Sequence, residues 1–329
     1  MEVRTELGKT DSKRQKSEEN SETSITSEIL IGTSGWSYKE WEGVFYPDSK
    51  TPKLTYYSGI FSTAEIDSTF YANPSRGMVL GWTRNTPKSF QFAMKLPQLI
   101  THKKQLDLDK GAEIDLREFI DLINPVHEAG KLGPLLIQLP PSFGLSKRTS
   151  LEEFFKVLPS DYLFAVEFRN KSWLKDRELD SLLRQYRVAS TIVDEPLLPV
   201  NLTTTSSDFA FVRWHGRGTR PWYDYRYGEE EIEPWVENIK TISKKVKKVY
   251  GYYNNHFHGY AVENSLELMQ KLKIASEEQE ITLRKVRSRI EGGQSADDDL
   301  ETDRSIKANK KEKKATESLD PDQKSLIEF

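Results

Sequence analysis

Eight short runs of apolar and β-branched residues punctuate the middle of the chain: EILIGTSG from Glu28, TAEIDSTF from Thr63, FQFAMKL from Phe90, PLLIQLP from Pro134, LFAVEFR from Leu163, RVASTIVDE from Arg187, FAFVRWHG from Phe209 and KVYGYYNN from Lys248. Most are nearly continuous in apolar character, as parallel strands covered on both faces require. The intervals hold stretches with helical spacing, among them DLREFIDLINPVHEAG, SLEEFFKVLP and DRELDSLLRQYR. Strand alternating with helix eight times predicts a single (β/α)8 TIM-type barrel over residues 28–275 in preference to a doubly wound sheet. A 36% hydrophobic and 11% aromatic composition supplies the core such a barrel needs.

The flanks lack that material. Residues 1–27 are rich in Glu, Lys, Ser and Thr, and too poor in apolar groups to offset the entropy of ordering, which predicts a disordered leader. Residues 276–329 read as a charged, disordered tail, in which SEEQEITLRKVRSRI has the spacing to extend a last helix. No apolar run approaches the roughly 20 residues that cross a bilayer, and the N-terminus has no signal-like segment, so a cytoplasmic location without a membrane partner is expected. The absence of cysteine excludes disulfides, thiolate metal sites and cysteine nucleophiles. A formal charge of -3 lacks the excess of Lys and Arg that a broad nucleic-acid face needs.

In a (β/α)8 barrel the chemistry sits where the strands end, so the polar residues closing each run are the candidates. The first run leads into Trp36 and Tyr38; the second carries Glu65, Asp67 and Thr69 on one face, then Tyr71; the others end in Lys95, Gln138, Glu167 with Arg169, Asp194, Arg213 with His215, and Asn254 with Asn255. Asp67, Lys95, Glu167 and His215 are the expected catalytic groups. Trp36, Tyr38, Tyr71, Gln138, Arg169, Asp194, Arg213, Asn254 and Asn255 are the expected substrate contacts. Arginines suit phosphate or carboxylate, and a carboxylate serves as general base or as an oxygen ligand for a divalent ion. No motif specifies a metal or other cofactor: His256 and His258 offer only an i, i+2 pair, and HGRG is too short for a phosphate loop.

Seven ordered motifs, IGTSGWSYKEWEGVFYP, EIDSTFYANPS, FAMKLP, LGPLLIQLPPSF, FAVEFRNKSWL, VRWHGRG and YYNNHFHGYAVENSLEL, span Ile29 to Leu272 and together resemble the YecE-like family, domain of unknown function 72. The resemblance implies a TIM-type barrel and no settled activity. The terminal heptapeptide QKSLIEF resembles the PIP box, the peptide that binds the DNA sliding clamp, with Gln323, Leu326 and Phe329 at the anchor positions. On a helical turn Leu326 and Phe329 share one side and suit an apolar pocket.

Three readings stand open at this stage. One is an enzyme acting at the rim on a phosphate-bearing substrate, nucleic acid included, as a nuclease, phosphodiesterase or other hydrolase in DNA repair, brought to the sliding clamp by the tail. The second is a carbohydrate-directed hydrolase or isomerase. The third is a non-catalytic adaptor tethered to the clamp.

Overall fold

All eight apolar runs become parallel strands. The computed structural model describes residues 27–219 and 221–292. It places β1 at Glu28–Thr33, β2 at Thr63–Ile66, β3 at Gln91–Lys95, β4 at Leu132–Gln138, β5 at Phe164–Glu167, β6 at Val188–Asp194, β7 at Phe209–Trp214 and β8 at Lys248–Tyr253. Parallel ladders join each strand to the next from β2 to β8, and β8 to β1. Helices α1 (Lys53–Ile60), α2 (Arg76–Arg84), α3 (Ala112–Glu128), α4 (Arg148–Lys156), α5 (Leu179–Gln185), α6 (Glu229–Ser243) and α7 (Tyr260–Lys271) connect them, and α8 (Glu277–Ile290) follows. This is the expected TIM-type barrel.

Strand alternation divides the core into two layers. Leu30, Ala93, Leu136, Ala165, Ala189, Phe211 and Tyr252 fill the barrel interior. Ile31, Met94, Ile137, Val166, Ile192, Val212 and Val249 face the surrounding helices. Both layers are apolar, which is why the strands read as continuous runs rather than as an alternation.

β1 and β2 close the barrel without a continuous ladder. They meet at a single bridge, Ser34 to Glu65, where the Gly35 N–H donates to the Glu65 carbonyl at 2.8 Å. Below that bridge the phenol of Tyr57, from α1, stands in for a ladder bond. It accepts from the Thr33 N–H and donates to the Thr63 carbonyl, both at 3.0 Å. Gly32 is required at the seam, since a Cβ there would lie 2.3 Å from the Thr63 carbonyl oxygen.

Two features depart from the expected plan. The connection from β6 to β7, residues 195–208, forms no helix, in keeping with Pro196, Pro199 and the β-branched Thr203–Thr205. The boundary at 275 also falls short, because α8 belongs to the ordered body. Its first turn is closed by a capping box in which Ser276 Oγ accepts from the Gln279 N–H at 3.2 Å and Gln279 Oε1 accepts from the Ser276 N–H at 2.8 Å. Leu283 and Val286 are buried, and Arg287 reaches Glu263 at 3.0 Å and Glu267 at 2.8 Å on α7. Its sequence has the helical spacing noted above, but its polar composition resembles that of the charged tail. No helix among the described residues is long and apolar enough to cross a membrane.

Candidate functional site

Toward the strand C-termini the interior-facing positions change from apolar to charged. On β7 the inward series Phe209, Phe211 continues as Arg213 and His215; on β5 Ala165 continues as Glu167 and Arg169; on β3 Ala93 continues as Lys95. β4 and β8 contribute Gln138 and Asn254, β1 and β2 contribute Ser34 and Glu65, and β6 contributes Glu195. The same two-residue alternation that builds the apolar interior therefore directs ten polar side chains to one mouth.

Arg213 lies at the centre, 1% exposed. Its Nη2 donates to Glu65 Oε1 and its Nη1 to Glu167 Oε2, each at 2.7 Å. Glu65 Oε1 also accepts from Ser34 Oγ at 2.7 Å. Glu167 Oε1 accepts from Gln138 Nε2 at 2.7 Å and from Arg169 Nε at 2.6 Å. Burial opposes ionisation of Glu167, but the adjacent Arg169 and Arg213 overcome it and hold the carboxyl well below the usual carboxylate range. Arg169 extends outward, with Nη1 3.1 Å from Glu195 Oε2. Neither oxygen of Glu195 accepts a hydrogen bond, and burial pushes its carboxyl up.

His215 has Asn254 at Nδ1 and, at Nε2, Arg169 with Arg213 at 3.3 Å and Glu167 Oε1 at 3.4 Å. Arginine can only donate, so Nε2, 2.9 Å from Arg169 Nη2, is the accepting nitrogen of a neutral ring. The ring proton then lies on Nδ1; Asn254 is placed with its Nδ2 3.0 Å away, and its amide matches this tautomer when turned to present the oxygen. Burial, then Arg169 and Arg213, pull the imidazole down to about 3. In this state both ring nitrogens are occupied and His215 positions Arg169.

Lys95 is the exception in the mouth. It is 8% exposed, yet among the described residues its ammonium has no hydrogen bond and no ion pair; its Nζ sits 4.4 Å from the centroid of the Phe70 ring. Burial, then Arg213, pull the amine down to about 8. Asp67, at the turn after β2, is likewise free of side-chain hydrogen bonds among the described residues. Three more buried groups in the mouth have unfilled capacity: Glu65 Oε2, Arg213 Nε and both oxygens of Glu195.

Two expected contacts are corrected by the alternation. Asp194 faces the helices, taking Arg217 at 2.8 and 3.0 Å and the Trp235 indole N–H at 3.0 Å. Asn255 points outward as well, donating to the Tyr225 carbonyl at 2.7 Å and to Asn264 at 2.8 Å. Their neighbours Glu195 and Asn254 take the inward places. Glu65 and Glu195, with His102 against the Phe70 ring at 4.8 Å, are mouth residues that had no assigned role.

The expected aromatic contacts are divided. Tyr38 donates to the Ser34 carbonyl at 2.7 Å and stacks on His256 at 4.3 Å, and Trp36 packs on Phe92 at 5.9 Å, so both brace the loop after β1. Tyr71 is 71% exposed at the outer edge. His256 is 3.2 Å from Glu40 and His258 3.8 Å from Asp224, so the two rings have separate carboxylate partners. Among the described residues no three His, Asp or Glu side chains converge as metal ligands. Gln323, Leu326 and Phe329 lie outside the described residues.

A sequence profile described as "Protein of unknown function DUF72" matches residues 30–288. The chain belongs to the DUF72 family. Protein YunF of Bacillus subtilis (strain 168) is 27% identical over 271 residues, covering 75% of this chain and 95% of YunF. Protein YecE of Escherichia coli (strain K12) is 28% identical over 170 residues, covering 50% of this chain and 59% of YecE. A solved DUF72 protein from Thermotoga maritima MSB8 is 34% identical with a TM-score of 0.68, covering 75% of this chain and 99% of that one. A DUF72 protein from Enterococcus faecalis V583 shares the fold at 24% identity and a TM-score of 0.68, over 76% of this chain and 97% of that one. The DUF72 match ends two residues before α8 does, so this helix is part of the family's span.

Proposed function

We propose that the chain is an enzyme whose barrel mouth takes a small ligand carrying a phosphate or carboxylate, contacted by Lys95 and by the outer edge of Arg169. The observation that carries this reading is Lys95, a lysine 8% exposed whose ammonium has no hydrogen bond and no ion pair among the described residues, only the Phe70 ring face. The Phe70 ring face is a weaker partner for an ammonium than an anionic acceptor, and a ligand anion supplies the acceptor the fold omits. Arg169 supports it, with a side chain 18% exposed and Nη1 held only by the 3.1 Å ion pair to Glu195. Arg213 is held at both terminal nitrogens by Glu65 and Glu167, so its part is to order the mouth, and recognition is assigned to the other two cations. A phosphodiester of nucleic acid is one form of this ligand chemistry. The carbohydrate reading is weaker, because the guanidinium of Arg213 occupies the space between Glu65 and Glu167 in which a glycosidic oxygen would have to sit.

The test is calorimetric titration with inorganic phosphate, simple phosphate esters and short carboxylates. Lys95→Met is expected to weaken the best of these at least about tenfold, the equivalent of one lost charge-assisted hydrogen bond. Equal affinity in wild type and variant sinks the assignment.

The terminal heptapeptide completes the proposal with a partner. Gln323, Leu326 and Phe329 follow the spacing of a clamp-binding peptide, and they would take the barrel to the sliding clamp. A pull-down of purified clamp by the full chain is expected to succeed, and to fail with Phe329→Ala; the same recovery with both forms refutes it.

A further inference from the structure

We propose that Lys95 is an imine-forming nucleophile and that the ligand of the mouth is a small carbonyl compound carrying the anionic group. This rests on the reading of Lys95 as the residue that meets the ligand, and names the chemistry it performs there.

Among the described residues two lysines are buried, and they are built differently. Lys131, 4% exposed, donates to the Thr83 carbonyl at 2.7 Å, the Thr86 carbonyl at 2.7 Å and Thr86 Oγ1 at 2.9 Å, so three acceptors complete its ammonium. That is how a lysine is buried for structure. Lys95 has none of these acceptors. Its Nζ lies over the apolar face of Phe70, at the inward C-terminal end of β3 where a barrel delivers its reacting groups. A lysine desolvated against an aromatic wall and set beside another cation gains free amine at neutral pH, about a tenth for an amine pulled down to about 8, and a free amine is the nucleophile toward a carbonyl.

The groups facing Lys95 from every packed element suit the proton transfers that follow. They are Arg213 from β7, Glu65 from β2, Asp67 from the turn after β2, Glu167 from β5 and His102 from the turn after β3. Glu167 is fully engaged by Gln138, Arg169 and Arg213. Glu65 Oε2 and the carboxylate of Asp67 are uncommitted among the described residues.

In the reaction the Nζ lone pair forms a bond to the carbonyl carbon while the carbonyl π pair moves to oxygen. Nζ gives up a proton and the oxygen gains one, producing a carbinolamine. A second proton converts the hydroxyl to water, which leaves as Nζ gives up its remaining proton and the carbon–nitrogen double bond forms. The balance is amine plus carbonyl to imine plus water, with no change of oxidation state. The ligand's anionic end then falls to the exposed edge of Arg169.

The test is reductive trapping on the full chain. Pyruvate supplies a carboxylate carbonyl and dihydroxyacetone phosphate a phosphate carbonyl; each is incubated with the protein, sodium borohydride is added, and the adduct is located by peptide mass mapping. The expected result is one reduced adduct at Lys95, formed faster as pH rises from 7 to 9 and absent from Lys131 and the surface lysines. Mapping on the wild-type protein needs no variant, and Lys95→Arg, which keeps the charge but removes the amine, is expected to abolish the adduct. Probe binding by calorimetry without an adduct at Lys95 overturns the imine and leaves the anion-binding reading intact. Neither binding nor adduct overturns both.

Discussion

Arg213→Met is expected to destabilise the fold by about 3–5 kcal/mol, measured by urea unfolding at pH 7. The guanidinium carries two carboxylates at 2.7 Å in a region where all three side chains are at most 1% exposed. Removing it alone leaves two carboxyl groups buried without the cation they share, a far larger penalty than the net worth of the pairs themselves. Glu167 retains Arg169 and Gln138, so most of the loss comes from Glu65, whose remaining partner is Ser34. The double variant Glu65→Gln/Arg213→Met is therefore expected to recover a substantial part of the stability. A loss below about 1 kcal/mol for Arg213→Met would show that water reaches the mouth freely and screens the carboxylates.

The second large effect is a pH dependence centred on His215. An unfolded histidine titrates near 6.5, whereas in the fold this ring is pulled down to about 3, first by burial and then by Arg169 and Arg213. Below pH 6.5 the unfolded chain binds the proton that the folded ring refuses. The stabilising contribution is thus complete above 6.5 and declines as pH falls toward 3, by about 1.4 kcal/mol per pH unit. Between pH 6.5 and 5 the folding free energy is expected to fall by about 2 kcal/mol from this residue. His102, lowered by burial and by Lys95, acts in the same direction. Glu195, raised by burial, acts in the opposite one. His215→Gln, whose amide oxygen can still accept from Arg169, is expected to flatten most of this slope. Identical slopes in the two proteins would mean that His215 is protonated in the folded state.

The strands were legible in the sequence because a parallel barrel strand is apolar on both faces, and nothing else in the chain produces such short continuous runs. That same property hides which face each residue takes. The pairs Asp194–Glu195 and Asn254–Asn255 each offer two adjacent polar side chains, and their apolar neighbours do not mark the inward one. Counting in twos from a known interior residue decides it: Tyr250 and Tyr252 lead to Asn254, and Ala189 leads to Glu195. The Arg213–Glu65 contact joins positions separated by 148 residues, so no local pattern announces it. Lys95 was visible as a charged strand end, but its lack of a partner is a property of the assembled mouth.

The Tyr57 seam makes one side chain part of the barrel wall. Elsewhere the spacing between strands is set by backbone ladders, which every sequence shares. Between β1 and β2 a single backbone bond, from the Gly35 N–H to the Glu65 carbonyl, is backed by one side chain that reaches Thr33 and Thr63. The lower part of this seam thus depends on the size of residue 57, so a substitution there acts on the gap between two strands while the seven ladders remain untouched.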